Sequence, residues 1–164
     1  MGGNVKDPNN GVPVKVLLVD DECQQLELRA LILTLAGFSV VTACGPIEAL
    51  TVIGTSKDID IAVVDYEMPI MNGGSLSECL KSKLPQLNIV LYSAAEAIPV
   101  SDLEKADTLI PKGDGITVLL NHLRNVFTQL ASTRAQARRA AEYNSAESPP
   151  FAITGTETLP NSFI

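Results

Sequence analysis

A chain of 164 residues suits one globular domain with extensions and leaves two full domains cramped. Its 46% of apolar residues is enough for a buried core and excludes wholesale disorder. The formal net charge of -7 argues against non-specific binding to nucleic acid or anionic membranes, which calls for a basic face. Trp is absent and aromatics reach only 4%, so the core must be built from Leu, Ile, Val and Ala, as in a parallel sheet between helices. Cys23, Cys44 and Cys79 lack Cys-x-x-Cys spacing and read as small buried hydrophobes in a reducing compartment. No stretch has the apolar length of a membrane-spanning helix, and Met1 to Val14 holds no signal-peptide core. A cytoplasmic protein without membrane attachment is expected.

Residues 1–13, rich in Gly, Asn and Pro, read as a disordered leader. Val14–Val19 is a nearly continuous apolar run that suits a strand buried on both faces, and it runs into Asp20, Asp21 and Glu22. Residues 23–36 place Leu28, Leu31, Ile32 and Leu35 at helical spacing, with Gly37 as the stop. Phe38–Ala43 reads as a strand, and Gly45-Pro46 opens a helix to about Ile53. Ile59–Val64, the most β-branched run, predicts a third strand ending at Asp65. A loop from Tyr66 to Gly74 leads into a helix over 75–83, closed off by Pro85. Ile89–Tyr92 is a fourth strand, ending at Ser93; a weak helix interrupted by Pro99 and a short strand at Thr108–Ile110 follow. The last helix aligns Ile116, Leu119, Leu120, Leu123, Phe127 and Leu130 on one stripe. Residues 131–143 are good helix formers that extend it, and 145–164 read as disordered. Strands alternating with helices predict an α/β fold, a five-stranded parallel sheet with helices on both faces.

In such a sheet, ligands bind beyond the carboxyl ends of the strands, where strand order reverses. Polar residues stand at four such ends: Asp20-Asp21, Asp65, Ser93 and Lys112. If the strand order is 2-1-3-4-5, these strands are contiguous and all four groups open onto one crevice. Converging carboxylates repel one another and need a cation; oxygen donors without His or Cys select Mg2+ (or Mn2+). A carboxylate can also attack phosphorus to give an acyl phosphate. The metal and a lysine would neutralise the transferring group while a hydroxyl binds its oxygens. Singly, each residue has a plainer reading: an Asp as helix cap, a solvated Lys, a Ser in a turn. Their joint placement points to a site.

Residues 14 to about 128 resemble the receiver domains of bacterial response regulators, the chemotaxis receiver among them. The resemblance is carried by Val19-Asp20-Asp21-Glu22, by Asp65-Tyr66-Glu67-Met68-Pro69 with Gly73, by Ser93-Ala94 and by Lys112. It implies a flavodoxin-like (βα)5 fold of strand order 2-1-3-4-5; the domain is expected over residues 14–130, with the helical extension and disordered tail read from composition over 131–164. It implies that Asp65 accepts a phosphoryl group from a histidine kinase, a phosphotransfer protein or a small phosphodonor. Asp21, Asp65 and the main-chain carbonyl of Glu67 become Mg2+ ligands, with Asp20 holding the ion through water. Lys112 pairs with the phosphoryl oxygens, Ser93 moves to bind them, and the small Ala94 leaves the acceptor accessible.

The sequence also departs from the family's pattern. Leu109 stands where the family's switch has Tyr or Phe, Pro111-Lys112-Gly113 replaces the usual Lys-Pro, and the stretch from Ser93 to Lys112 is short. The expected function is a phosphorylation switch without an output domain in the chain, catalysing only its own phosphorylation and dephosphorylation. It would contact an unidentified downstream protein and not DNA, with homodimerisation open. The alternatives are a degenerate receiver acting by protein contact alone and a Mg2+-dependent phosphatase with Asp65 as nucleophile, for which no insertion long enough to form a cap is present. A nucleotide-binding module would need a Gly-rich phosphate loop after the first strand. His122, Arg134, Arg138 and Arg139 read as boundary or solvated residues of the last helix.

Overall fold

The apolar runs become strands β1 (Lys15–Asp20), β2 (Ser39–Cys44), β3 (Ile61–Val64), β4 (Asn88–Ser93) and β5 (Thr108–Pro111). All pair in parallel, in the order β2-β1-β3-β4-β5. Helices α1 (Cys23–Leu35), α2 (Pro46–Thr55), α3 (Gly73–Lys83) and α4 (Val100–Leu103) alternate with them, and a 3-10 turn at Lys112–Asp114 precedes α5 (Ile116–Ala146). This computed structural model describes residues 14–146, so the expected leader and the tail beyond Ala146 lie outside the described residues. Residues 145 and 146, expected with the tail, belong to α5. The architecture is the flavodoxin-like α/β fold with helices on both faces.

Alternation along each strand divides the core in two. Val16 and Leu18 of β1, Ile61 and Val63 of β3, and Val90 and Tyr92 of β4 pack with Leu26 and Leu33 of α1 and Leu119, Leu123 and Val126 of α5. Leu17 and Val19, Ala62 and Val64, and Ile89 and Leu91 pack on the other face with Ala49 and Ile53 of α2 and Leu76 and Leu80 of α3. Leu17, Ile61, Leu76 and Leu91 are wholly buried, each stabilising the fold by roughly 2 kcal/mol of transfer free energy.

The α5 stripe packs as the sequence suggests, with Val126 joining it. The α1 stripe does not. Leu28, Leu31 and Leu35 are exposed, and the buried line runs through Leu26 and Leu33 with Arg29 and Ala30 between them. This helix carries Leu on both sides, so periodicity alone could not choose its face. α3 begins at Gly73, two residues before its expected start, because Asn72 caps it by accepting the Ser75 N–H at 2.9 Å. The weak fourth helix is a four-residue turn beginning just after Pro99.

Ile70, in the loop after β3, holds φ 74°, a conformation that crowds the β-branched side chain against its own backbone. Its side chain is exposed, so it has no packing to lose. Ile70→Asn is expected to stabilise the protein by about 1 kcal/mol. Urea unfolding checks this, and a destabilised variant would contradict the stated strain.

Candidate functional site

β1 delivers Asp20 by the same alternation that orders the core. Asp20 shares parity with Val16 and Leu18, so its side chain emerges on the α1–α5 face, where it is 2% exposed. There Oδ2 accepts from the Arg29 guanidinium and, at 3.0 Å, from Lys112 Nζ, while Oδ1 accepts the Glu22 N–H at 2.9 Å. Arg29 also lies over the Tyr92 ring, 5.7 Å from its centre. Asp65 follows the last residue of β3, yet its N–H still donates to the Val19 carbonyl at 2.9 Å, which keeps it alongside the end of β1. Lys112 Nζ donates to Asp65 Oδ2 at 2.9 Å. The 3-10 turn after β5 carries Lys112 back over the sheet, so Pro111 before it and Gly113 after it do not prevent the lysine from reaching both carboxylates.

Burial is the largest influence on both members of the Asp65–Lys112 pair, and it opposes charge in each. On Asp65 burial, helped by the charge of Asp20, outweighs Lys112 and raises the carboxyl above its ordinary value. On Lys112 burial works downward, but the Asp65 and Asp20 carboxylates together overcome it and raise the ammonium. A carboxyl raised on folding contributes most below its unfolded pKa of 3.8, and that contribution is lost as pH rises through the higher folded value. In metal-free buffer, Asp65→Asn is therefore expected to gain stability relative to the parent as pH rises from acid towards neutrality. Urea unfolding over a pH series measures this; a gap that moves the other way would contradict it.

One oxygen each from Asp20, Asp21 and Asp65 lies within 4.8 Å of the others. Oxygens sharing one Mg2+ at about 2.1 Å stand at most about 4.2 Å apart, so a small contraction suffices. The donors are hard oxygens, as Mg2+ requires. The Asp21 carboxylate is half-buried and has no protein partner among the described residues, whereas both Asp20 oxygens are already engaged. Asp21 is thus the freest of the three carboxylates, while Asp65 Oδ2 is held by Lys112.

Ser93, 2% exposed at the end of β4, accepts the Ala95 N–H at 3.1 Å, so its hydroxyl is turned to its own loop. Ala94 and Glu67 are exposed. Leu109 is 40% exposed on β5, opposite Leu91, and does not fill the core. His122 is half-buried on α5, where burial lowers its pKa. Arg134 pairs with Asp60 at the opposite end of the sheet, so it is not simply solvated.

The cysteine reading is corrected: Cys23 and Cys44 are exposed and joined as a disulfide, with Cα atoms 5.5 Å apart, and only Cys79 is free among the described residues. Sequence reasoning also missed Arg29, whose place on the Leu26–Leu33 line of α1 was its one signal. It missed a network next to Asp65 as well. Tyr66 OH donates to Asp102 at 2.8 Å, Asn72 Nδ2 donates to Asp102 at 3.2 Å, and Lys105 bridges Asp102 and Glu78 at 3.1 and 3.2 Å. Tyr66 and Lys105 hold the Asp102 carboxyl below the usual range. This ties the short α4 to the loop that leaves the pocket.

Residues 16–106 match the family model described as the response regulator receiver domain. The chain is 36% identical over 87 residues to the transcriptional regulatory protein GlrR of Escherichia coli K12, covering 53% of this chain and 19% of that one. It is 31% identical over 116 residues to the response regulator MprA of a Mycobacterium species (strain KMS), covering 69% of this chain and 50% of that one. The chain thus spans half or less of the length of these relatives. Its fold matches the response regulator TrrA of Thermotoga maritima, solved in complex with Mg2+ and BeF, at a TM-score of 0.64 and 24% identity over 69% of this chain and 98% of that one. With the sheet order, the acidic cluster and a family match over more than half of its length, the chain belongs to the response regulator receiver domain family.

Proposed function

We propose that this receiver domain is a phosphorylation switch in which Asp65 takes up a phosphoryl group from a histidine kinase or a phosphotransfer protein. The observation that carries this reading is the joint placement of three carboxylates within 4.8 Å and the Lys112 ammonium 2.9 Å from Asp65. Receiver domains bind Mg2+ at an acidic pocket, and the TrrA complex holds Mg2+ with BeF. Here Asp21, Asp65 and the Glu67 carbonyl would hold the ion, with Asp20 through water. Bound there, Mg2+ would neutralise negative charge on the phosphoryl oxygens.

The chain's own residues do the rest. An Asp65 oxygen bonds to phosphorus as the bond to the donor nitrogen or oxygen breaks, and the donor leaves with its electron pair. Lys112 keeps its ammonium on the pocket and meets the new phosphoryl oxygens. Ser93 releases the Ala95 N–H and turns its hydroxyl towards them, while Ala94 leaves the approach open and Leu109 moves inward. Water later displaces Asp65 from phosphorus and resets the switch. The domain spans residues 14–130 with an extension beyond it, works in the cytoplasm, and passes its state to a protein partner through protein contact.

Intact mass after incubation with Mg2+ and a small acyl phosphate tests this. One labile phosphate is expected on the parent, and none on Asp65→Asn or with a chelator present. Steady turnover of external phosphate esters would instead identify a phosphatase.

A further inference from the structure

We propose that Cys23 and Cys44 form a reversible thiol–disulfide site that sets the position of Asp21. β1 and β2 run in parallel with Asp20 opposite Cys44, and Cys23 opens α1 two residues beyond Asp21. The chain therefore passes from β1 through Asp21 and Glu22 and returns beside the end of β2. The two Cα atoms are 5.5 Å apart, within the span of a disulfide, and both residues are exposed to small reagents. Both sulfurs lie against the Asp21 main-chain carbonyl, at 3.8 and 3.7 Å.

The turn has few other anchors. Glu22 caps α1 without a side-chain hydrogen bond, and the bond from the Glu22 N–H to Asp20 holds the turn from the β1 side. The Cys23–Cys44 link holds it from the β2 side, and reduction removes that hold. Cys79, on α3, is free and half-buried, and serves as an internal control.

The oxidant is a low-molecular-weight disulfide of the glutathione class. One cysteine thiol attacks it, forming a mixed disulfide and releasing one small thiol; the second cysteine then displaces the other small thiol. Two protons and two electrons leave the pair with the two thiols released, and a dithiol reverses the reaction. In a cytoplasmic protein a disulfide is usually transient, acting as a sensor and not as a permanent staple. The consequence for Mg2+ rests on the acidic pocket being its site: with the turn held, Asp21 is preorganised and the oxidised form binds the ion more tightly.

The full chain is equilibrated in glutathione buffers from reducing to oxidising, alkylated, and mapped by peptide mass. Residues 23 and 44 are expected to become protected together and to reopen on reduction, with Cys79 alkylated throughout; Cys44→Ser should lose the paired protection. Persistent alkylation of Cys23 and Cys44 at every ratio would overturn the proposal, as would protection that no dithiol reverses. Calorimetric titration with Mg2+ alone is expected to give about tenfold tighter binding to the oxidised form, the lower end of what loss of a ligand-orienting contact costs. Equal affinity in both forms would overturn the coupling. Absence of Mg2+ binding in both forms would overturn the pocket reading and the coupling with it, while the alkylation result still decides the thiol pair.

Discussion

Lys112→Met is expected to slow phosphate uptake by about a hundredfold, the usual effect of removing one preorganised donor from developing negative charge. Among the described residues, Lys112 is the one cation within hydrogen-bonding distance of Asp65, whereas Asp20 keeps Arg29. Methionine preserves the apolar stem and removes only the charged head. In metal-free buffer the variant leaves Asp65 buried against Asp20 with no cation of its own, a loss of about 2 kcal/mol. That is below the ~3–5 kcal/mol of a fully buried pair, because the Lys112 side chain retains 18% of its exposure. Added Mg2+ should recover much of this stability, so the variant's melting temperature should respond to the ion more steeply than the parent's. Initial rates of labelling and melting curves with and without Mg2+ check both effects. Unchanged labelling would remove Lys112 from the site.

Gly73→Ala is expected to disturb the same pocket from beneath. A Cβ on Gly73 would stand 2.4 Å from the Asp65 carbonyl oxygen and 2.8 Å from Tyr66 Cα, both backbone atoms, and 3.0 Å from Leu91 Cδ2. The Gly73 N–H donates to the Tyr66 carbonyl at 2.8 Å, so the loop from Tyr66 to Asn72 closes on itself at this residue. A methyl group must push either the start of α3 or Asp65, the residue proposed as acceptor. We expect a loss of about 1–3 kcal/mol from the overpacking. Labelling should also fall by about a hundredfold, since displacing a reacting group by about 1 Å has that cost. Gly113→Ala is the control: its new Cβ meets nothing within 4 Å, and its stability should stay within about 0.5 kcal/mol of the parent. Normal stability and labelling in Gly73→Ala would show that the loop has freedom the close approach denies it.

The parts legible in the sequence are those with a local signature. Runs such as Val16–Val19 and Ile61–Val64 identify strands buried on both faces, and the polar residues that end them identify the pocket, because a parallel sheet places those ends together. What stayed hidden depends on contacts between residues far apart. Arg29 lies on the same face of α1 as the buried Leu26 and Leu33 and there meets Asp20, while Leu28, Leu31 and Leu35 face outward. Tyr66 meets Asp102 across 36 positions, through an α4 too short to announce itself by periodicity. Cys23 and Cys44 are 21 apart and meet only because β2 lies beside β1 with Cys44 in register with Asp20. The exposure of Leu109 belongs to this group as well, since β5 is an edge strand and its outer face is covered by nothing the sequence pattern specifies.

That the acceptor is Asp65, and not its acidic neighbours, is tested most directly by reductive trapping. An acyl phosphate on aspartate is reduced by borohydride to homoserine, which marks the modified position permanently. After labelling with a small acyl phosphate and Mg2+, borohydride treatment and peptide mapping should place homoserine at residue 65 alone. Homoserine at residue 20 or 21, or a phosphate that survives borohydride elsewhere in the chain, would contradict the account.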